Sequence, residues 1–164
     1  MSIDELEEQQ FVARFGALFE HSPWVAREAW ARRPFGSREG LQAAFEAALH
    51  DAPRERQLAL LRAHPELAGR EARAGELTAE SGREQAGAAL DRLSPTEHAQ
   101  LAELNRRYRE RFGFPMIVCV REHRPGSILA WGSTRLERSP DEELATALGE
   151  VAKIAGLRLG DLLQ

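Results

Sequence analysis

Cysteine is almost absent from this chain: Cys119 stands alone among 164 residues. That excludes an internal disulfide and a zinc site built from thiolates. The surrounding run, Met116-Ile117-Val118-Cys119-Val120, is apolar, so the thiol reads as a small core residue. Apolar surroundings raise a thiol's pKa and argue against a nucleophile. Lysine is nearly missing as well, Lys153 being the single one among 22 basic residues. No apolar run approaches the roughly 18 residues that a membrane-crossing helix needs, and no membrane partner is expected. Basic charge is not in excess: 26 acidic residues face 22 basic ones, a net charge of −4, which speaks against a nucleic-acid partner. The N-terminus carries Asp4, Glu5, Glu7 and Glu8, the wrong sign for a targeting peptide. The C-terminus, Gly160-Asp161-Leu162-Leu163-Gln164, lacks a Ser-Lys-Leu-type address. A cytoplasmic protein is expected. His21, His50, His98 and His123 fit no ligand spacing, so no metal site is expected either.

What is present is enough apolar material for a core: 43% of residues, with 29% charged. The length suits one domain over 1–164. Helix signals dominate. Residues 5–20 place Phe11, Phe15, Leu18 and Phe19 at helical spacing. Ser22-Pro23 reads as an N-cap followed by proline in the first helical position, opening a short helix through Trp24 and Trp30. Ser37 caps a helix with Leu41, Phe45 and Leu49 inward, and Asp51-Ala52-Pro53 opens another that ends at His64. Residues 69–77 read as a loop, and Thr78 as the cap of a helix running to about Leu93. Ser94-Pro95-Thr96-Glu97 and Ser139-Pro140-Asp141-Glu142 are capping-box starts. The first leads into a face of Leu101, Leu104, Tyr108 and Phe112, the second into Leu144, Ala147, Leu148, Val151, Ile154 and Ala155. Ser127 to Glu137 suits a further short helix. Only 113–120 looks strand-like, and a lone strand has no partner, so it reads as an extended buried linker. The expected fold is all-α, a single domain of about eight short helices with one extended segment near 114–120.

Four places carry candidate chemistry. His64 precedes Pro65, which ends the helix there. A helix C-terminus favours imidazolium and poises such a histidine for proton exchange near neutral pH; the alternative is a plain C-terminal cap. Ser81, Glu84 and Gln85 stand at i, i+3 and i+4 and share one helical face. Gly82 and Gly87 lie in the same stretch, each costing about 1 kcal/mol against alanine, a cost more readily tolerated where something approaches the backbone. That face is either a ligand grip or a solvated surface. Phe112-Gly113-Phe114-Pro115-Met116-Ile117 leads into the extended run, whose unpaired backbone has N–H donors to offer, or else is a core crossing. Arg158, between Leu157 and Leu159, either snorkels or turns its fork on an anion.

In order along the chain, these segments resemble the 2-oxo-4-hydroxy-4-carboxy-5-ureidoimidazoline (OHCU) decarboxylases of urate degradation. The resemblance rests on Glu20-His21-Ser22-Pro23-Trp24-Val25-Ala26, Arg33-Pro34-Phe35, Leu61-Arg62-Ala63-His64-Pro65-Glu66-Leu67-Ala68-Gly69 and Ser81 with Glu84-Gln85-Ala86-Gly87. It continues through Leu90-Asp91-Arg92-Leu93, Leu104-Asn105 with Tyr108, Phe112-Gly113-Phe114-Pro115, Arg135-Leu136 and Arg158-Leu159. It implies an all-helical, cofactor-free carboxy-lyase, usually a homodimer, acting on a small ureido-imidazoline anion. By the same resemblance His64 is the acid/base and Glu84 lies against the substrate, where it is expected to assist His64. Pro65, Ser81, Gln85, Arg158 and the backbone around Met116, Ile117 and Val118 hold the substrate. The chain departs from the family pattern at Met116, where phenylalanine is common, and at Arg138, where asparagine is common. Two other readings compete: a helical protein-interaction module, and the same fold acting on a related ureide such as allantoate.

Overall fold

Helices begin where short side chains can take up free backbone donors. The computed structural model describes residues 2–67 and 93–164. In chain order its α-helices are α1 (Glu8–Phe15), α2 (Trp24–Trp30), α3 (Arg38–His50), α4 (Arg54–Ala63), α5 (Pro95–Phe112), α6 (Pro125–Arg135) and α7 (Pro140–Leu162). Ser37 Oγ accepts from Gly40 N–H at 3.0 Å at the start of α3. Ser94 and Glu97 exchange two bonds of 3.1 Å at the start of α5, and Ser139 and Glu142 repeat the exchange before α7. Hydrogen bonding to Ser139 holds the Glu142 carboxyl below its usual range. Among the described residues there is no strand and no helix long and apolar enough to cross a membrane. The fold is all-α. The loop expected at 69–77 and the helix expected from Thr78 lie outside the described residues.

The chain divides into two units. One contains α1 to α4 and the stretch from Val151 onward; the other runs from His64 to Glu150. Helix α7 is continuous, starting in the second unit and ending in the first. In the first unit the core is built on phenylalanine. Phe45 of α3 lies 5.9, 6.0 and 5.9 Å from the rings of Phe11, Phe15 and Phe19, and burying each such ring contributes about 1.5–3 kcal/mol. The helix expected over 5–20 is shorter: it gives way after Phe15 to a tighter 3-10 turn, Gly16–Leu18. Three residues per turn bring Leu18 beneath Phe15, and both are buried. Ser22 is not the side-chain cap of α2. It is buried, and its carbonyl, not its hydroxyl, takes the Val25 N–H. The end of α3 is closed by buried Gln57, whose Nε2 donates to the carbonyls of Leu49 and His50.

In the second unit α5 stops at Gly113, which adopts φ +80° as a left-handed C-cap. Residues 114–119 then run on without helix or strand and are buried throughout, with Cys119 among them; the extended run expected to reach 120 ends one residue earlier, because Val120 opens a 3-10 turn, Val120–Glu122. Helix α6 packs against α5. Gly132 permits this approach, because a Cβ there would stand 2.5 Å from Leu104 Cδ2 and 2.9 Å from Met116 Sδ.

Candidate active site

His64 follows the last residue of α4 and is half-buried. Its Nδ1 lies 3.1 Å from the Pro65 carbonyl oxygen. A carbonyl only accepts, so this contact places a hydrogen on Nδ1. In the neutral ring Nε2 is then the basic nitrogen. The turn that follows is tied to α5. Asn105 Nδ2 donates to the Leu67 carbonyl at 2.9 Å, and Arg109 Nη2 stands 3.6 Å from Glu66 Oε1.

The same unit contains the extended segment. Met116, Ile117 and Val118 are buried, and their N–H groups make no hydrogen bond to another described residue. Buried backbone donors are nearly always paired, so three in a row mark a place where a ligand's acceptors would be welcome. The segment is held from behind. Arg135 Nη1 donates to the Ile117 carbonyl at 2.6 Å, and Glu150 Oε1 accepts from Cys119 N–H at 3.0 Å. Arg135 is itself sealed. Its Nε donates to Glu143 Oε1 at 2.6 Å, its Nη2 to the Tyr108 hydroxyl at 3.2 Å, and its guanidinium lies 4.6 Å from the Trp131 ring centroid. Tyr108 donates to the same Glu143 oxygen at 2.6 Å, and burial, the largest influence, pushes its phenol above the ordinary 10.0.

Arg158 belongs to the other unit, and it does not snorkel: it is 5% exposed. Its Nη2 donates to Glu20 Oε1 at 2.8 Å and its Nη1 to the Leu18 carbonyl at 3.3 Å. The fork is turned on an anion, as one of the two readings held, and here that anion is the chain's own Glu20. His21, next to it, adopts φ +58°, a left-handed conformation that few non-glycine residues take. Sequence reasoning did not pair Glu20 with Arg158, which are 138 positions apart. Asn105 entered only within the family resemblance, although an amide inside the stripe Leu101, Leu104, Tyr108 was a visible oddity.

The family model described as OHCU decarboxylase matches residues 4–160. A Haloferax volcanii protein named 2-oxo-4-hydroxy-4-carboxy-5-ureidoimidazoline decarboxylase is 45% identical over 159 residues, spanning 97% of this chain and 92% of that one. The chain belongs to the OHCU decarboxylase family. Two solved structures share the fold of this family member. A crystal structure of (S)-allantoin synthase superposes with a TM-score of 0.75 at 27% identity, over 98% of this chain and 52% of that one. A crystal structure of OHCU decarboxylase in the presence of (S)-allantoin gives 0.70 at 22% identity, over 96% of this chain and 98% of that one.

Membership in the OHCU decarboxylase family sets aside the interaction-module reading. Of the expected site residues, His64, Pro65, Met116, Ile117 and Val118 fall in one unit and Arg158 in the other. Ser81, Glu84 and Gln85 lie outside the described residues. Met116 and Arg138, the residues expected to depart from the family pattern, both have close neighbours within the second unit. Met116 is buried beneath Gly132 of α6. Arg138 donates to Thr146 Oγ1 at 2.8 Å and reaches Glu143 Oε2 at 3.4 Å.

Proposed function

We propose that this protein decarboxylates OHCU to (S)-allantoin without a cofactor, using His64 as the acid/base. The observation that supports this most is the His64 ring itself, half-buried at the helix stop with Nδ1 on the Pro65 carbonyl. That contact supports proton exchange through Nε2. The substrate needs little more than proton handling. When the bond from the ring carbon to the carboxylate breaks, its electron pair passes into the adjacent C=N, whose nitrogen takes a proton from solvent, leaving an enol and carbon dioxide. His64, assisted by Glu84, orients the hydroxyl and accepts its proton as the ring carbonyl forms. A proton delivered to one face of the neighbouring carbon then sets the (S) configuration. General acid/base steps of this kind contribute about 10²–10⁴-fold.

The remaining groups hold the anion. Arg158 supplies charge, the N–H groups of Met116 to Val118 supply donors, and Ser81, Gln85 and Pro65 complete the contacts. We read residues 1–164 as one functional domain, which the unbroken family match over 4–160 supports, working as a homodimer in the cytoplasm. Replacement of His64 by Ala or Asn is the test. Each variant is expected to keep its helicity and to lose about 10²-fold or more in turnover, followed by decay of freshly generated substrate and by the circular dichroism of the allantoin formed. Turnover near that of the unaltered protein removes His64 from the mechanism.

A further inference from the structure

We propose that Arg135 is a positioning residue that, by holding the Ile117 carbonyl, aims the Val118 N–H at the substrate, an inference that rests on the reading of the Met116–Val118 backbone as a substrate contact. Arg135 closes α6 and is 0% exposed. Its Nε donates to Glu143 Oε1 at 2.6 Å, its Nη2 to the Tyr108 hydroxyl at 3.2 Å and its Nη1 to the Ile117 carbonyl at 2.6 Å. All three of its nitrogens are engaged, so its effect on a ligand runs through the groups it holds. Neutralising Glu143 does not require the bond to Ile117. A guanidinium and a carboxylate pair most fully through two parallel hydrogen bonds. Here Glu143 takes only Nε from Arg135 and turns its other oxygen toward Arg138 at 3.4 Å. One arm of the fork is spent instead on a backbone carbonyl 18 positions away.

A peptide group is planar, and in the trans form its C=O and N–H point in opposite directions. Among the described residues the one cis peptide bond is Arg33–Pro34, so the group joining Ile117 to Val118 is trans. With its oxygen on Arg135, its hydrogen, the Val118 N–H, faces away from the Arg135 cluster. Val118 is 2% exposed, and its N–H has no hydrogen-bond partner among the described residues. The bond to Arg135 is the one hydrogen bond that this peptide group makes there. Rotating the group would leave a buried carbonyl without its donor, which is unfavourable, so the bond sets which way the N–H points. The next peptide group is held too, Cys119 N–H donating to Glu150 Oε1 at 3.0 Å. Charge adds to aim. A cation on the carbonyl oxygen polarises the amide, and hydrogen bonds made in series strengthen one another. The Val118 N–H is thereby a better donor to a substrate oxygen than an ordinary amide.

The test compares two ways of losing the Ile117 bond with one way of loosening the same cluster. Arg135→Met with Glu143→Leu removes both buried charges together, and Arg135→Lys keeps a charge beside Glu143 without the planar fork. Tyr108→Phe takes a hydroxyl from the cluster and leaves the Arg135–Ile117 bond in place. The two Arg135 variants should bind (S)-allantoin about 10-fold more weakly in calorimetry and raise KM alike, with kcat changed far less. Tyr108→Phe should leave affinity and KM unchanged. In the unaltered protein, labelled for NMR at valine, the Val118 amide resonance should move when (S)-allantoin is added, and in the Arg135 variants it should move less. If it moves in the unaltered protein while the Arg135 variants keep full affinity, the positioning role is overturned and the backbone contact stands. If it does not move in the unaltered protein, the backbone contact falls and the positioning role with it. Equal weakening by Tyr108→Phe, or loss of the folded state in both Arg135 variants, also overturns the proposal, since either reduces Arg135 to a part of the packing.

Discussion

Two buried arginines, Arg135 and Arg158, meet carboxylates in very different ways. Arg135 is closed on every side: Glu143, Tyr108 and the Ile117 carbonyl take its hydrogens, and Trp131 and Tyr108 flank its plane at 4.6 and 5.4 Å. Glu143 in turn accepts from Tyr108, Arg135 and Arg138. Arg158 meets Glu20 near the end of α7, beside a strained turn at His21. The first arrangement holds the extended segment in place. The second orients the buried guanidinium of Arg158, the group proposed above to hold the substrate, on the chain's own Glu20. A buried ion pair therefore does not announce its role; the identity of the element it grips does.

Breaking each pair separates the roles. Arg135→Met leaves Glu143 buried without its main partner and is expected to cost about 3–5 kcal/mol, a large share of a domain's stability, read as a lower urea midpoint. Adding Glu143→Leu should recover most of that loss; failure to recover would show that the cluster holds more of the fold than this one pair. Arg158→Gln is expected to weaken (S)-allantoin binding by about 10–10²-fold in calorimetry, the worth of a charge-assisted hydrogen bond of about 1.5–3 kcal/mol. Adding Glu20→Gln should restore stability but not affinity. Recovery of both would confine Arg158 to holding the fold.

The next effect is smaller and concerns pH. Tyr108 is the only tyrosine, so a phenolate titration reads it alone. Its folded pKa is raised by burial above the ordinary 10.0, so folding favours the neutral phenol. The stability it lends is complete below the unfolded value and is lost as pH rises past it. Phenolate absorbance should thus appear together with unfolding; reversible ionisation in the folded protein near the ordinary value would show the cluster to be open. The mildest change is Ser94→Ala at the α5 cap, expected to cost about 1 kcal/mol in the urea midpoint and to leave kcat unchanged.

Local signals were the most legible. Ser37, Ser94 and Ser139 cap as their spacing indicates because a cap is settled within four residues. The extended run was legible over 114–119 for the same reason: its apolar residues have no period of a helix and no partner strand. Ser22 misled, since its hydroxyl pattern says nothing of the left-handed turn at His21 that buries it. The tighter turn after Phe15 was likewise decided by packing. At the site, His64 and the Met116–Val118 backbone stood out from a proline and from an unpaired extended run. Glu20 and Asn105 did not, because their significance lies in partners far along the chain.

The amino-acid sequence by itself determined the all-helical class, the helix starts at Ser37, Ser94 and Ser139, the buried cysteine and the family. Each of these depends on nearest neighbours along the chain or on the order of motifs. Only the tertiary structure decided that Arg158 is buried on Glu20, that Arg135 holds the Ile117 carbonyl, and that Asn105 reaches back to Leu67. Such contacts join residues with no local relation, and a buried charge or amide is tolerated only where packing brings its partner within hydrogen-bond reach.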